Sequence, residues 1–439
     1  MPDHIIIKNK IRNFNKKINI SSDKSISIRS ILVASQAVGI SKISNLLESE
    51  DVLNTLKAIK NLGINYKKKG NICYIHGFGL NGFNISKNTT INAGNSGTLA
   101  RLILGLLVKS KFKVKLTGDK SLSKRDFERI SNPLSKFGAN FKLKDKKNLP
   151  LIINGTPNLK SIKYFEKRGS AQCKSAVIFG AIRSKGTTVI KAKKSRNHTE
   201  LLCQHLKLPI TIKTKKNHDI IKIKNVKNIK KLNYKIPSDI SSSAFFIALT
   251  ALNKNSSLTI KDVNINPSRI GIIKILKKMG VKISFKNKKI YKGEQNADIL
   301  VESPRKLRSI NCPAKLTSEA IDEFLVIFLV AAKAEGISYF KNLDELNQKE
   351  SPRLIWGEKI LTKMGIKTIT TKNSIKIFGN PKLEINKEIE IKNYLKDHRV
   401  FMTSVIASLS FGGKWYIHDK DSIKTSFPTF LDIIKKINK

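Results

Sequence analysis

Residues 99–116 read LARLILGLLVKSKFKVKL, an apolar helix-like run that ends in a basic turn and continues into a short strand. The same pattern occurs six times in the chain. Its strand ends are separated by 73, 74, 70, 80 and 77 residues, and they are Ile43, Leu116, Ile190, Ile260, Phe340 and Ile417. Ordinary alternation of helices and strands gives irregular spacing, so this regularity predicts an internal repeat.

A second helix and a second strand follow each of these strands. Four of the second helices end in a glycine, which suits the left-handed end of a helix, and these are Gly63, Gly138, Gly280 and Gly365. The third copy has Leu208-Pro209 in place of the glycine, and strand Ile5–Ile7 could complete the sixth copy. Six copies of the repeat fill the chain, which predicts three copies in each globular half. The chain is expected to cross between the halves near residues 20–22 and 230–237.

The net charge of +52 raises the alternative of a nucleic-acid-binding protein. The basic residues are 71 lysines and 13 arginines, spread through the chain without basic blocks that alternate with aromatic residues. We therefore predict no specific nucleic-acid partner. Because lysine is so common here, a motif that depends on arginine is the more informative one.

Hydrophobic residues make up 40% of the chain, enough to build cores, which argues against a disordered protein. The longest apolar run, Phe324–Ala332, is too short for a membrane span, and the N-terminal stretch has charges among its apolar residues. The four cysteines lack the spacing of a zinc site or a disulfide framework. We predict a cytoplasmic protein with no membrane partner and no metal.

Each first helix is expected to begin 18 or 19 residues before its strand end, at Ser25, Gly97, Ala171, Ser241, Asp322 and Arg399. Capping of free N–H groups explains the small polar residues there. It does not explain the charged residues at the same phase, which are Lys24, Arg29, Arg101, Lys174, Asp322, His398 and Arg399. The starts of the second helices add Arg125, Arg196, Lys349, Glu350 and Arg353.

Equal phase in a structural repeat means equal position, so these helix starts should gather on one face. Helix N-termini attract anions, and arginine binds phosphate or carboxylate at two points. The sequence therefore favours a cleft between two halves for a pair of small polyanions, although solvated helix ends are the plainer alternative. Asp322 and Glu350 stand in this positive field as proton carriers, or else as a cap and a salt-bridge partner.

Eleven short motifs carry a family resemblance that extends from about Asp23 to Phe430. They are DKSIS-R (23–29), GNSGT-AR (94–101), LTGD-SL-KR (116–125), SAQ-KSA (170–176), SR-HTE (195–200), P-D-SS-AF (237–245), NP-R-G (266–271), IDE (321–323), KES-R (349–353), DHR (397–399) and SFP (426–428). In these motifs the chain resembles the 5-enolpyruvylshikimate-3-phosphate (EPSP) synthase family, and its class II members in particular.

The resemblance implies an α/β fold, a two-domain inside-out barrel with three βαβαββ units per domain. One domain is discontinuous, residues 1–20 plus 238–439, the second is residues 21–237, and the active site lies in the cleft between them. The implied transferase joins two small-molecule substrates. The 5-hydroxyl of shikimate 3-phosphate attacks C2 of phosphoenolpyruvate, C3 is protonated, and phosphate leaves. No cofactor is implied, and we expect a monomer.

Matching positions imply the site residues. Those for shikimate 3-phosphate are Lys24, Ser25, Arg29, Ser170, Ala171, Gln172, Arg196, Asp322 and Lys349. Those for phosphoenolpyruvate are Lys24, Asn95, Gly97, Arg125, Gln172, Arg353 and Arg399. The catalytic residues are Lys24, Asp322, which accepts the 5-hydroxyl proton, and Glu350, the proton donor and acceptor at the methylene carbon. Gly97 in place of alanine is similar to the herbicide-sensitive type and implies inhibition by glyphosate.

Four positions depart from the family pattern. Ser21-Ser22 replaces a Pro-Gly pair, Asp126 stands where a proline is usual, and Pro352 replaces an aspartate. The family's late lysine has no aligned equivalent, because Lys424 comes one residue early.

The nearest alternative is a UDP-N-acetylglucosamine enolpyruvyl transferase. The SAQ-KSA and KES-R motifs disfavour it, as does the lack of a cysteine in a loop suited to its acid role.

Overall fold

Helices and short strands alternate along the chain, and the computed structural model describes residues 3–438. The strands are β1 (His4–Ile7), β2 (Asn15–Ile18), β3 (Ala37–Ser44), β4 (Tyr66–Lys69), β5 (Ile72–Phe78), β6 (Thr89–Asn92), β7 (Val114–Thr117), β8 (Asn140–Lys144), β9 (Asn148–Asn154), β10 (Lys163–Glu166), β11 (Thr187–Lys193), β12 (Ile210–Thr214), β13 (His218–Lys224), β14 (Ile229–Lys230), β15 (Asn233–Lys235), β16 (Ser257–Asn264), β17 (Lys282–Tyr291), β18 (Glu294–Glu302), β19 (Ile337–Phe340), β20 (Thr368–Thr370), β21 (Ile375–Phe378), β22 (Glu388–Ile391) and β23 (Lys414–His418).

The helices lie between them. They are α1 (Lys24–Ser35), α2 (Glu50–Asn61), α3 (Gly97–Leu107), α4 (Glu128–Ser135), α5 (Ala171–Ala181), α6 (His198–His205), α7 (Ile240–Leu252), α8 (Gly271–Lys278), α9 (Ala314–Thr317), α10 (Phe324–Lys333), α11 (Arg353–Lys363), α12 (His398–Phe411) and α13 (Phe430–Asn438). Short 3₁₀ turns occupy Leu122–Lys124, Asp344–Gln348 and Lys420–Thr425.

The strands of residues 3–438 form six sheets on one recurring plan. In β6-β7-β9-β8, the strand before helix α3 lies parallel to the strand after it, and a hairpin adds two antiparallel strands. The sheets β10-β11-β13-β12 and β2-β16-β18-β17 have the same order, and β14 with β15 takes the first place beside β3-β5-β4. The sheets β19-β21-β20 and β22-β23-β1 have three strands each. The pairing of β1 with β23 confirms that the opening strand completes the sixth repeat.

The first helix of each sequence repeat lies in the interior, because its sequence is apolar over most of its circumference. Every residue of α3 and α7 is buried, and in α12 every residue except Arg399 is buried. Buried and exposed residues alternate in β6 and β7, so their sheet buries one face. Interior helices with outer sheets are the inside-out arrangement. No helix of residues 3–438 is long and apolar enough to cross a lipid bilayer.

The second helices end in the left-handed conformation, as predicted. The glycines at the four predicted ends, Gly63, Gly138, Gly280 and Gly365, have φ of 82°, 107°, 98° and 84°. In the third repeat, Leu208-Pro209 was predicted to take the place of the glycine. That prediction was wrong by one position, because Lys207 adopts the left-handed conformation with φ 56°. The N–H of Leu208 then returns to the carbonyl of Cys203 at 2.9 Å, which closes the helix without a glycine.

The chain divides into two compact units, each with an apolar core of its own. Unit 1 holds the described residues up to Ser21, Pro237–Ile290, and the described residues from Gln295 onward. Unit 2 holds Ser22–Ile236 and also Tyr291–Glu294, which the sequence had placed in the discontinuous domain. The predicted domain 1–20 plus 238–439 includes Met1, Pro2 and Lys439, which lie outside the described residues.

Candidate active site

Three first helices of unit 2 begin with a side-chain cap. Asp23 caps α1, Ser96 caps α3 and Ser170 caps α5, each by accepting a backbone N–H of the first turn. A serine that accepts a helix N–H still has its own hydroxyl proton to donate. The helices begin at Lys24, Gly97 and Ala171, at or next to the predicted starts Ser25, Gly97 and Ala171.

The guanidinium of Arg29 is held by three parts of unit 2. Its Nε donates to Oγ1 of Thr199 at 2.9 Å, its Nη1 to the backbone carbonyl of Ser25 at 3.0 Å, and its Nη2 to Oγ of Ser175 at 3.4 Å. The hydroxyls of Ser175 and Thr199 are themselves 2.7 Å apart. These bonds fix the plane of a buried guanidinium, which two-point binding of an anion requires.

The loop before α3 is tied to Arg125. Asn95 accepts from Nη2 of Arg125 at 3.0 Å and donates through Nδ2 to Asp119 at 2.6 Å. A Cβ on Gly97 would lie 2.8 Å from Nη1 of Arg125 and 3.3 Å from Nη1 of Arg101. Glycine at position 97 therefore makes room for two guanidinium groups beside the N-terminus of α3.

The first turns of α3 and α5 are joined by side chains. Arg101 donates to Oε1 of Gln172, and Nε2 of Gln172 donates to Oγ1 of Thr98 at 3.0 Å. Lys174, two residues further along α5, is fully buried and pairs with Glu200 of α6 at 2.6 Å. Thus Gln172 belongs to the network of Arg101, whereas Lys174 joins two helices.

Two further predicted residues of unit 2 lie at helix starts. Lys24, the first residue of α1, pairs with Asp51 of α2 at 2.8 Å. Arg196 is half-buried and lies two residues before α6. Unit 2 therefore collects its predicted residues at the starts of α1, α3, α5 and α6 and in the Arg125 segment.

Arg353 is the centre of a carboxylate cluster in unit 1. Its Nε donates to Oδ2 of Asp397 at 2.8 Å and its Nη2 to Oδ1 at 3.1 Å. Nη1 lies 3.4 Å from Oδ1 of Asp322, and Nη2 also contacts Oε2 of Glu350. Lys349 pairs with the same Asp322 oxygen at 3.2 Å. Both predicted proton carriers therefore contact one guanidinium.

Asp397 is buried and joins this cluster to the start of α12. Its oxygens accept the N–H of Arg399 at 2.9 Å and the Oγ–H of Ser351 at 2.8 Å. Burial alone would raise the pKa of Asp397, but the Arg353 charge holds that pKa below its ordinary value. Burial alone would lower the pKa of Arg353, but Asp397 and Glu350 raise that pKa above its ordinary value. The Arg353–Asp397 pair is therefore ionised.

Arg399 joins this cluster to two further helix starts. Its Nη1 donates to the backbone carbonyl of Asp322 at 2.7 Å and lies 3.8 Å from Oε1 of Glu323. Glu323 accepts from the hydroxyl of Ser241, which accepts from Nη2 of Arg269 at 2.6 Å. The N-termini of α7, α10 and α12 are thereby linked through charged side chains.

Comparison with known proteins identifies the family. The sequence profile described as EPSP synthase (3-phosphoshikimate 1-carboxyvinyltransferase) matches residues 8–434. The chain belongs to the EPSP synthase family. A 3-phosphoshikimate 1-carboxyvinyltransferase of Ruthia magnifica subsp. Calyptogena magnifica is 40% identical over 421 residues, which is 96% of this chain and 94% of that protein.

Solved structures agree with this assignment. The EPSP synthase of Acinetobacter baumannii superposes with a TM-score of 0.85 at 35% identity, covering 98% of this chain and 97% of that one. The enolpyruvyl transferase NikO of Streptomyces tendae has a TM-score of 0.77 over 100% of this chain and 98% of its own, but 12% identity, which shows the fold alone. The predicted fold class, enzyme class and activity are confirmed, and the UDP-sugar and nucleic-acid alternatives are not favoured.

Some helix starts in this EPSP synthase family member differ from the predicted ones. Asp322 lies in a turn, and α10 begins at Phe324 without a side-chain cap bond from Glu323. Arg125 follows the 3₁₀ turn Leu122–Lys124 and precedes α4, which begins three residues later. In both cases a separate turn comes before the helix, so the functional side chain stands on a loop.

The departures from the EPSP synthase pattern have local partners. Asp126 accepts the backbone N–H of Arg129 at 3.3 Å and lies 3.5 Å from Nη1 of Arg168, so its charge has a donor and a cation beside it. Pro352 is the N-cap of α11 and not a first-turn residue, a place where no N–H is needed. Oγ of Ser21 lies 3.0 Å from Oγ1 of Thr429, and Lys424 pairs with Asp421 at 2.9 Å.

Proposed function

We propose that unit 2 binds the phosphate groups of shikimate 3-phosphate and phosphoenolpyruvate, and that unit 1 supplies the carboxylates that move the protons. The observation that carries this assignment is the Arg353 cluster, which brings Asp322 and Glu350 to one guanidinium. A cation beside a carboxylate keeps it ionised and so able to accept a proton. When that cation turns to a substrate, the carboxylate takes up a proton more readily and can then donate it.

Shikimate 3-phosphate is assigned to the starts of α1, α5 and α6. The first turn of α5 offers backbone N–H groups and the hydroxyl of Ser170 to the phosphate, as helix N-termini do for anions. Arg29 brings a guanidinium that three hydrogen bonds already orient. The remaining contacts are assigned to Lys24, Ser25, Ala171, Gln172, Arg196, Asp322 and Lys349.

Phosphoenolpyruvate is assigned to the loop before α3 and to the guanidinium of Arg125. Asn95 and Gly97 face the guanidinium of Arg125, and an alanine Cβ at position 97 would crowd its Nη1 at 2.8 Å. The same space supports the expectation that glyphosate competes with phosphoenolpyruvate. The remaining contacts are assigned to Lys24, Gln172, Arg353 and Arg399.

In the proposed addition step, Asp322 takes the proton of the 5-hydroxyl while the hydroxyl oxygen attacks C2 of phosphoenolpyruvate. The electrons of the C2–C3 double bond take a proton from Glu350 at C3. The substrate carboxylate competes with Glu350 for Arg353, and a carboxylate that loses its cationic partner takes up a proton more readily. In the elimination step Glu350 removes a proton from the new methyl group, the double bond forms again, the C2–O bond to phosphate breaks, and the leaving phosphate takes the proton that Asp322 accepted.

We also infer a monomer in the cytoplasm. All four cysteines are free and buried, as a reducing compartment allows. Burial raises the pKa of Cys73 to about 11 and that of Cys203 to about 12, so neither thiol suits an acid role at neutral pH. Light scattering of the purified chain would give the oligomeric state.

The assignment is tested by phosphate release from phosphoenolpyruvate, measured with and without shikimate 3-phosphate. Arg125→Ala and Glu350→Gln should each lower kcat/KM by about 100-fold or more, because each removes a group that contacts the reacting atoms. Glyphosate should raise the apparent KM for phosphoenolpyruvate in the wild type.

Matched controls are Arg12→Ala and Glu302→Gln, whose side chains are exposed. Both should keep the wild-type rate. A wild-type chain that releases no phosphate would refute the activity for this chain, whereas unchanged rates in Arg125→Ala and Glu350→Gln would refute only the residue assignment.

A further inference from the structure

A hairpin tip that no motif includes contributes four residues to unit 2, namely Tyr291–Glu294 between β17 and β18. Lys292 and Gly293 have φ of 52° and 86°, the left-handed conformations of a two-residue hairpin turn. The ring of Tyr291 lies 5.4 Å from that of Tyr234, and its hydroxyl accepts the N–H of Lys235 at 3.1 Å. The tip is therefore held in place within unit 2.

The tip meets the first turn of α6 through a buried hydrogen bond. Oε1 of Glu294 lies 2.6 Å from Nδ1 of His198, and both side chains are almost fully buried. A Cβ on Gly293 would lie 3.3 Å from the carbonyl of Leu201, so the tip backbone also packs against α6. A cavity of about 10 Å³ borders His198, Glu294 and Arg29.

Three successive residues in the first turn of α6 each contact a different side chain of unit 2. His198 contacts Glu294, Thr199 accepts from Nε of Arg29 at 2.9 Å, and Glu200 pairs with Lys174 at 2.6 Å. All three residues of the turn are buried. A shift of this turn would therefore rotate the Arg29 guanidinium, and two-point binding tolerates little rotation.

We propose that Glu294 is a positioning residue for the 3-phosphate of shikimate 3-phosphate. It holds His198, which fixes the first turn of α6, and through Thr199 it sets the plane of Arg29. This inference rests on the proposed function, because Arg29 is the assigned phosphate ligand. Glu294 itself touches neither substrate in this scheme, so its loss should weaken the binding of one substrate and leave the chemistry intact.

The test compares Glu294→Gln and Gly293→Ala in the full chain. Glu294→Gln should raise the KM for shikimate 3-phosphate about tenfold and leave kcat and the KM for phosphoenolpyruvate within about twofold of the wild type. Gly293→Ala pushes the tip away from Leu201. It should raise the KM for shikimate 3-phosphate about threefold and again leave kcat and the KM for phosphoenolpyruvate within about twofold of the wild type. The Kd of shikimate 3-phosphate alone, from calorimetry, should rise by the same factors.

Each variant has a matched control on the same kind of element. Glu302→Gln changes the same residue type at the exposed end of β18. Gly70→Ala places alanine at a positive φ of 55° in the β4–β5 turn, where nothing lies within 4 Å of the new Cβ. Both controls should keep the wild-type KM values, which separates loss of the α6 contact from backbone strain.

Unchanged KM values in a folded Glu294→Gln would overturn the inference, as would a parallel loss in kcat and in both KM values. If Glu294→Gln does not fold, Gly293→Ala decides on the same criterion. Arg29→Ala separates this inference from the proposed function. If Arg29→Ala binds shikimate 3-phosphate normally, the phosphate assignment itself is wrong. If it binds weakly while Glu294→Gln binds normally, only the role of Glu294 is wrong.

Discussion

Three buried cations of this chain each face a carboxylate. Arg353 contacts Asp397, Arg269 lies 3.1 Å from Asp239, and Lys174 pairs with Glu200. Burial of an unpaired charge costs several kcal/mol, so removing one member of such a pair destabilises the fold far more than removing an exposed charge. Most charges of this lysine-rich chain are solvated, so the few buried pairs identify the charges that have a structural or functional role.

Asp397→Asn should lower the free energy of unfolding of unit 1 by about 3 kcal/mol at pH 7, because it removes the buried carboxylate that makes two hydrogen bonds to Arg353. The pKa of Asp397 lies below the ordinary value of 3.8 in the folded chain. Its stabilising contribution is therefore complete above that value and is lost as the pH falls through the folded-state pKa. Urea unfolding at pH 7 and at lower pH measures both effects.

The control is Asp421→Asn, which removes an exposed carboxylate paired with Lys424. It should unfold at the same urea concentration as the wild type. The difference between wild type and Asp397→Asn should shrink below pH 3.8. A difference that stays constant over the acid range would show that the charge of Asp397 contributes nothing.

At the scale of elements, the interior helices of unit 2 pack with their backbones in close approach. A Cβ on Gly105 of α3 would lie 2.1 Å from the carbonyl oxygen of Ala176 in α5, a distance that no side-chain rotation can relieve. A Cβ on Gly180 of α5 would meet the ring of Phe137 at 3.0 Å, which can move. The helix starts that carry the Arg101–Gln172 contact depend on this approach.

Gly105→Ala should therefore destabilise unit 2 by about 2 kcal/mol or more, although alanine is the better helix former. Gly180→Ala should stay within about 1 kcal/mol of the wild type, because the helix gain offsets a small movement of the ring. Thermal and urea unfolding of the two variants measure the contrast. Equal stability of the two variants would contradict the backbone contact between α3 and α5.

At the scale of the whole molecule, a chain with a net charge of +52 acts on two anionic substrates. Such a field attracts anions, and dissolved salt screens it over about 10 Å at 0.1 M. The field acts on encounter and not on the bound complex. A salt effect should therefore appear in kcat/KM and not in kcat.

We predict that kcat/KM for shikimate 3-phosphate falls about tenfold between roughly 20 mM and 500 mM sodium chloride, while kcat changes less than about twofold. Sodium acetate should give the same slope, which distinguishes screening from binding of chloride. Sucrose at matched viscosity serves as the control for diffusion. A kcat/KM that is independent of salt would make the positive charge a matter of composition alone.

The sequence alone was enough for the sixfold repeat, the interior helices, the family and the activity. These features depend on local periodicity and on short motifs, which a single chain displays directly. It also supplied the candidate residues, because they stand at motif positions that match the family, and the arginines among them lie at predicted helix starts. Helix starts themselves were less certain, as Asp322 and Arg125 show, because a preceding turn changes where a helix begins.

Only the tertiary structure decided which charges pair. Arg353 meets Asp397, 44 residues away, and His198 meets Glu294, 96 residues away. The DHR motif contains Asp397, but capping was a sufficient explanation for an aspartate at a helix start, and no motif contains Glu294. The partner of a buried charge is set by how distant elements pack, and the one-dimensional spacing of residues contains no record of that packing.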